Sequence, residues 1–123
     1  INLDPKWLSG HVAYTMSKYN MTMVALGLAG ELKKYNIAAN ALWPKTTIAT
    51  AAVQNLLGGD ALMQMSRKPE IIADAAYYIL NRSAATCTGN TFIDEEVLAQ
   101  EGITDLDKYA VVPGGRLYPD LFL

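Results

Sequence analysis

The chain of 123 residues has a formal net charge of −2, with 51% hydrophobic and 18% charged residues, a balance that makes a core-forming globular domain and excludes a disordered one. Its ten basic residues are scattered rather than striped, so the footprint of a nucleic-acid binder is missing. A single cysteine, Cys87, and a single histidine, His11, exclude an internal disulfide framework, a thiolate zinc cluster and any site built on several imidazoles.

Residues 1–9 contain Pro5 and end in Ser9, a candidate N-cap for a helix predicted from about His11 to Tyr35. Val12, Met16, Tyr19, Met23 and Leu26 form one apolar row on it, and Met21, Ala25, Leu28 and Leu32 form a second. Two rows predict burial on two sides, against a sheet and against another helix such as one from a partner subunit. Gly27 and Gly30 are expected to admit a close neighbour, Lys33 and Lys34 suit the negative end of the helix dipole, and Asn36 is a candidate left-handed stop. His11 is expected to face solvent and Cys87 to be a small buried or loop thiol.

The run Ile37–Trp43, bounded by Pro44, reads as a central parallel strand covered on both faces. After the loop Pro44-Lys45-Thr46-Thr47 come a predicted helix over Ala49–Leu57, a break at Gly58-Gly59-Asp60, a short helical piece over Leu62–Met65, and a helix from Pro69 to about Asn81 with Ile72, Ala75, Ala76 and Ile79 on its apolar face. Thr91-Phe92-Ile93 is a second strand, Glu95–Gln100 a further helix, and the tail from Tyr109 an irregular arm. Two strands do not make a stable covered sheet, so further strands are expected from outside the chain. No G-x-G-x-x-G is present, so a bound dinucleotide would need its phosphate loop from elsewhere. No apolar run approaches the roughly 18–20 residues of a membrane span.

Tyr14 and Lys18 stand one helical turn apart. A cation beside a phenol favours the phenolate and makes the hydroxyl a usable acid or base nearer neutrality, which suits carbonyl reduction or alcohol oxidation. The plainer alternative is a surface lysine whose stem lies over a half-buried ring.

Four ordered signals go together: Tyr14-x-x-x-Lys18 on a long helix, Asn40-Ala41-Leu42-Trp43-Pro44 at the end of the next strand, Pro69-Glu70-Ile71-Ile72-Ala73 opening a helix, and Thr88-Gly89-Asn90 before an apolar strand. Together they resemble the second half of a short-chain dehydrogenase/reductase, over nearly the whole chain. The resemblance implies an α/β fold, the C-terminal half of a Rossmann-like doubly wound parallel sheet that is incomplete in this chain. Residues 1–123 would then be a partial dinucleotide-binding domain without its N-terminal cofactor-binding half.

The resemblance further implies an oxidoreductase that moves a hydride between NAD or NADP and a small-molecule carbonyl or secondary alcohol. Tyr14 would be the acid or base, and Lys18 would hold the nicotinamide ribose and lower the Tyr14 pKa. Pro44 would border the nicotinamide, backbone groups near Thr47 or Ile48 would reach its carboxamide, and the Thr50 hydroxyl would lie close by. Leu56, Leu57, Leu62, Met63 and Met65 suit a lid over a lipid-like substrate and equally suit ordinary helix packing. A homo-oligomer is expected. The expected location is cytoplasmic, with peroxisome or mitochondrion as alternatives.

The sequence departs from the family pattern in three places. Lys45 stands where glycine is usual after the proline, the step from Pro44 to Thr50 is one residue longer than common, and Asp94-Glu95-Glu96 stands where Asp-Gly-Gly is usual, a change expected to alter a subunit contact near the sheet edge. The family's glycine-rich turn, its Asn-Ala-Gly strand and its substrate-orienting serine all precede the tyrosine helix, and the serine is expected a few residues before Ile1. The chain is therefore expected to be the carboxyl-terminal half of a longer reductase and inactive alone. The alternative is a non-catalytic dehydrogenase-like module that dimerises through the doubly apolar helix.

Overall fold

The computed structural model describes residues 3–122, apart from the side chains of Leu56 and Leu57. The lid expectation for those two leucines and the packing of Leu123 lie outside the described residues. Two compact units are present, one formed by residues 3–41, 82–92 and 122 and the other by 42–81 and 93–121.

In the first unit, Asp4 caps a short helix α1 (Pro5–Leu8), its carboxylate accepting the Lys6 N–H at 3.0 Å while Pro5 fills the first helical position. Ser9 ends α1 instead of opening the next helix, which starts from His11 without a side-chain cap. That next helix, α2 (Val12–Leu32), runs for 21 residues into a 3-10 turn, Lys33–Tyr35, and stops at Asn36 with φ 56°. Asn36 is thus the left-handed stop expected of it.

The face that α2 buries keeps Tyr19 of the first predicted row and otherwise differs from both rows. Thr15, Tyr19, Thr22 and Ala29 are buried, whereas Val12, Met16, Met21, Met23, Val24, Leu26 and Leu28 are all at least 40% exposed. Apolar residues on most of the circumference give the sequence no single period from which to choose a face. The buried stripe is made of small and hydroxyl-bearing side chains; at one end the Thr15 hydroxyl donates to the Trp7 carbonyl of α1 at 2.5 Å, and at the other Ala29 faces Gly89. A Cβ on Gly27 or Gly30 would meet nothing within 4 Å. No described neighbour uses them.

Strands β1 (Ala41–Trp43) and β2 (Thr91–Ile93) pair in parallel. β1 is shorter than the predicted 37–43 and only half-buried, because the residues before it bond to a turn and not to a ladder. Ala39 takes part through its N–H, which donates to the Thr88 hydroxyl at 3.1 Å, and through its carbonyl, which accepts from Gly89 at 2.8 Å. Asn40, the polar interruption of the strand, ties the same turn: its amide donates to the Cys87 carbonyl at 3.0 Å and its oxygen accepts both Asn90 N–H groups at 3.0 and 2.9 Å. Cys87 is buried and His11 exposed, as expected.

In the second unit, the helical turn that begins at Ala51 widens into a π turn over Val53–Leu57 in place of the predicted regular helix. Helix α3 (Gly59–Gln64) begins earlier than its predicted Leu62–Met65, with Gly59 supplying a φ of 59°. Helix α4 (Glu70–Leu80) follows Pro69, and α5 (Asp94–Gln100) packs against it. Ile71, Ala75, Val97 and Leu98 are 0% exposed. The buried face of α4 is rotated from the predicted one, with Ile72, Ala76 and Ile79 only half-buried. Among the described residues no helix is long and apolar enough to cross a membrane.

The tail is more ordered than an irregular arm. Tyr109, 3% exposed in a 3-10 turn (Asp107–Tyr109), donates its hydroxyl to Asp74 of α4 at 2.5 Å. Burial, with the Asp74 carboxylate beside it, pushes the phenol up to about 12. Tyr109→Phe is expected to cost about 1 kcal/mol in chemical denaturation at pH 7, the net worth of such a bond when its acceptor is exposed. Because the folded phenol titrates above the unfolded one, this difference should persist up to about pH 10 and vanish as pH rises through about 12.

Candidate active site

Tyr14 and Lys18 lie on one face of α2, both half-buried, with the Lys18 ammonium over the phenol ring, 5.5 Å from its centroid. This is cation–π distance, and it gives the ring a fixed cationic neighbour. The other side of the ring environment is Phe122, whose ring stacks on Tyr14 at 6.3 Å between centroids with 21° between planes. Phe122 also meets Trp7 edge-on at 5.5 Å and Tyr19 at 5.1 Å. Its backbone has φ 77°, a conformation that bulky L residues rarely adopt. Tyr14 is therefore set in an aromatic group and is not sealed inside it.

The residues expected to border the nicotinamide belong to the second unit, Tyr14 and Lys18 to the first. Pro44 follows β1 and is half-buried. Thr47 is buried, and its backbone is fully used: its N–H donates to the Tyr118 carbonyl at 3.0 Å and its carbonyl accepts the Arg67 N–H at 2.9 Å. Its hydroxyl pairs with that of Ser66 at 2.8 Å. The Thr50 hydroxyl faces the turn that follows, accepting the Val53 N–H at 3.4 Å.

Ile48 differs from Thr47. The Arg67 carbonyl accepts the Ala49 N–H at 2.8 Å, so Arg67 is bonded to Thr47 and Ala49 on either side of Ile48. Across a trans peptide the N–H and C=O point in opposite directions. The Ile48 N–H lies opposite the Thr47 carbonyl, the Ile48 carbonyl lies opposite the Ala49 N–H, and so both point away from Arg67. Neither has a hydrogen-bond partner among the described residues. Of the two positions expected to offer backbone groups, Ile48 has them available and Thr47 does not.

Asp94, at the head of α5, is 0% exposed, and one of its oxygens accepts the Lys45 N–H at 2.9 Å and the Glu95 N–H at 2.8 Å. Burial raises its carboxyl above the usual carboxylate range, outweighing those two donors and the Arg67 charge, which pull the other way. Glu95 pairs with the buried guanidinium of Arg67.

No family model matches the chain. It is 55% identical over all of its 123 residues to hydroxysteroid dehydrogenase-like protein 2 of Xenopus laevis and 51% identical to the human protein of that name. A short chain dehydrogenase from Mycobacterium thermoresistibile superimposes on the whole chain with a TM-score of 0.85 at 56% identity. The resemblance to short-chain dehydrogenases extends over the entire chain. A Xanthomonas campestris protein provisionally described as a dehydrogenase agrees over 99% of the chain, with a TM-score of 0.90 at 52% identity. The chain spans 29% of the two hydroxysteroid dehydrogenase-like proteins and 43–44% of the two bacterial structures. Its two paired parallel strands match part of the Rossmann-like α/β fold of those structures.

Sequence reasoning found Tyr14 and Lys18 by their spacing but passed over Asp94 and Arg67, which have no local motif. Asp94 bonds to a residue 49 positions away. Its one sequence signal is an acidic residue at a strand end that also opens a helix.

Proposed function

We propose that this chain is the carboxyl-terminal part of an NAD- or NADP-dependent oxidoreductase that moves a hydride between the nicotinamide and a carbonyl or secondary alcohol. Tyr14 with the Lys18 ammonium held over its ring is the single observation that carries this reading. Tyr14 protonates the carbonyl oxygen as hydride arrives, or takes the proton from the alcohol in reverse, and the Lys18 charge favours the phenolate. When bound, the nicotinamide supplies or accepts the hydride. Lys18 has ammonium donors for the ribose hydroxyls, Pro44 forms the wall of the nicotinamide site, and Ile48 offers an N–H and a carbonyl that suit a carboxamide. Thr50 stands at the edge of this loop, while Thr47 contributes by holding it.

The glycine-rich turn that cradles the pyrophosphate belongs to an N-terminal half of the same domain. The exposed Met16, Met21, Met23 and Val24 on α2 are the surface to be covered by that half and by a second copy in a homo-oligomer. A lipid-like substrate agrees with the apolar Leu62, Met63 and Met65, and a cytoplasmic location agrees with the composition.

The test is absorbance of the reduced nicotinamide with acyl-CoA, steroid and small ketone substrates. The full-length protein is expected to turn over at least one of them, and residues 1–123 alone none. Activity confined to short polar ketones would defeat the lipid assignment. The same exposed face of α2 favours the second reading, a dimerisation module without catalysis, and a full-length protein that neither binds nor oxidises NADH or NADPH would establish it.

A further inference from the structure

The loop from Lys45 to Ala49 is gripped along both edges by groups distant in sequence. On one edge, Arg67 bonds to Thr47 and Ala49 through its main chain, at 2.9 and 2.8 Å, while its guanidinium is anchored to Glu95. On the other edge, the Tyr118 carbonyl accepts the Thr47 N–H at 3.0 Å and the Lys45 carbonyl accepts the Asp120 N–H at 3.1 Å. At its beginning, the buried Asp94 carboxylate takes the Lys45 N–H at 2.9 Å. These bonds leave the Ile48 N–H and carbonyl turned away from Arg67.

We propose that Asp94 and Glu95 are positioning residues for the nicotinamide-side loop: Asp94 fixes Lys45 directly, and Glu95 fixes Thr47 to Ala49 through Arg67, so that together they set the direction of the Ile48 N–H and carbonyl. This rests on the assignment of that loop to the nicotinamide. The two adjacent carboxylates at the start of α5 act at separate points of one loop, Lys45 on one hand and Thr47 with Ala49 on the other. Glu95 replaces a residue that is usually glycine in short-chain dehydrogenases, and a glycine has no side chain with which to hold Arg67. The brace is therefore stronger in this chain than the common pattern allows. A hydrogen-bond acceptor is what Lys45 needs, not a charge, so an amide at position 94 should serve and a methyl should not. Glu95, in contrast, needs its charge to hold a guanidinium that is itself buried.

Two measurements on the full-length protein test this. Amide hydrogen exchange at Lys45 is expected to quicken at least about tenfold in Asp94→Ala, as for loss of a bond worth about 1.4 kcal/mol, and to stay near wild type in Asp94→Asn. In turnover, Asp94→Ala and Glu95→Gln are expected to raise KM for the nicotinamide about three- to tenfold, with kcat changed less and Asp94→Asn again close to wild type. If Asp94→Ala does not fold, Glu95→Gln and Asp94→Asn decide the matter, since both keep the volume of the native side chain. Unchanged exchange, a KM that stays within twofold in Glu95→Gln, or an Asp94→Asn protein as impaired as Asp94→Ala would overturn the proposal. A wild-type protein with no nicotinamide-dependent turnover would instead remove the functional assignment of the loop, and exchange at Lys45 would then judge the brace by itself.

Discussion

Tyr14→Phe in the full-length protein is expected to lower turnover by about 10²–10⁴-fold, the range that a positioned general acid or base contributes. The substitution removes one oxygen and leaves the ring, so the stacking on Phe122 at 6.3 Å and the Lys18 ammonium at 5.5 Å have the same partner as before. Folding should not suffer. Nicotinamide binding, followed by fluorescence of the reduced cofactor, should stay within about threefold, because in the proposed role the phenol acts on the transferred proton more than on the bound cofactor. Lys18→Met should differ in kind. In the proposed mechanism, losing the ammonium removes both a ribose donor and the charge that favours the phenolate, so KM for the nicotinamide should rise and the pH at which alcohol oxidation turns on should move upward. Turnover by Tyr14→Phe within tenfold of wild type would remove Tyr14 from the chemistry.

Leu98→Ala is expected to have the largest effect on stability, about 2–5 kcal/mol by chemical denaturation. Leu98 is 0% exposed on α5, in the same unit as the equally buried Ile71 and Ala75 of α4 and Val97 beside it. Alanine would remove the side chain beyond Cβ and leave a cavity in the buried part of α5, the helix that packs on α4. The start of α5 also carries Asp94 and Glu95, so loosening of this helix should reach the loop they hold. The check is the unfolding midpoint with the denaturant slope: an unchanged slope and a lower midpoint mark lost stability, whereas a loss below 1 kcal/mol would show that α5 is not held by this core.

What the sequence revealed and what it hid follow from the range of the interactions concerned. The stop at Asn36, the start after Pro69 and the strand at Thr91–Ile93 depend on local backbone preferences, and those are visible in a few residues. Tyr14 and Lys18 were visible for the same reason, since one helical turn joins them. The buried face of α2 was not, because Thr15, Thr22 and Ala29 are buried by what approaches them while Met16, Met21 and Met23 stay exposed. The π turn at Val53–Leu57 and the short β1 depend on competing bonds to Thr50 and to the turn at 88–90, and no periodicity records such a competition. The division between Thr47 and Ile48 needed to know which peptide groups Arg67 and Tyr118 had already taken.

Phe122 has a consequence for handling the protein. A residue with φ 77° gives up about 1–2 kcal/mol of conformational preference, and its ring contacts with Trp7, Tyr14 and Tyr19 are what offset that cost. Replacing Phe122 to carry a probe removes those contacts while the strained backbone remains, and takes the stacked neighbour from the Tyr14 ring, so labelled material would report an altered Tyr14 environment.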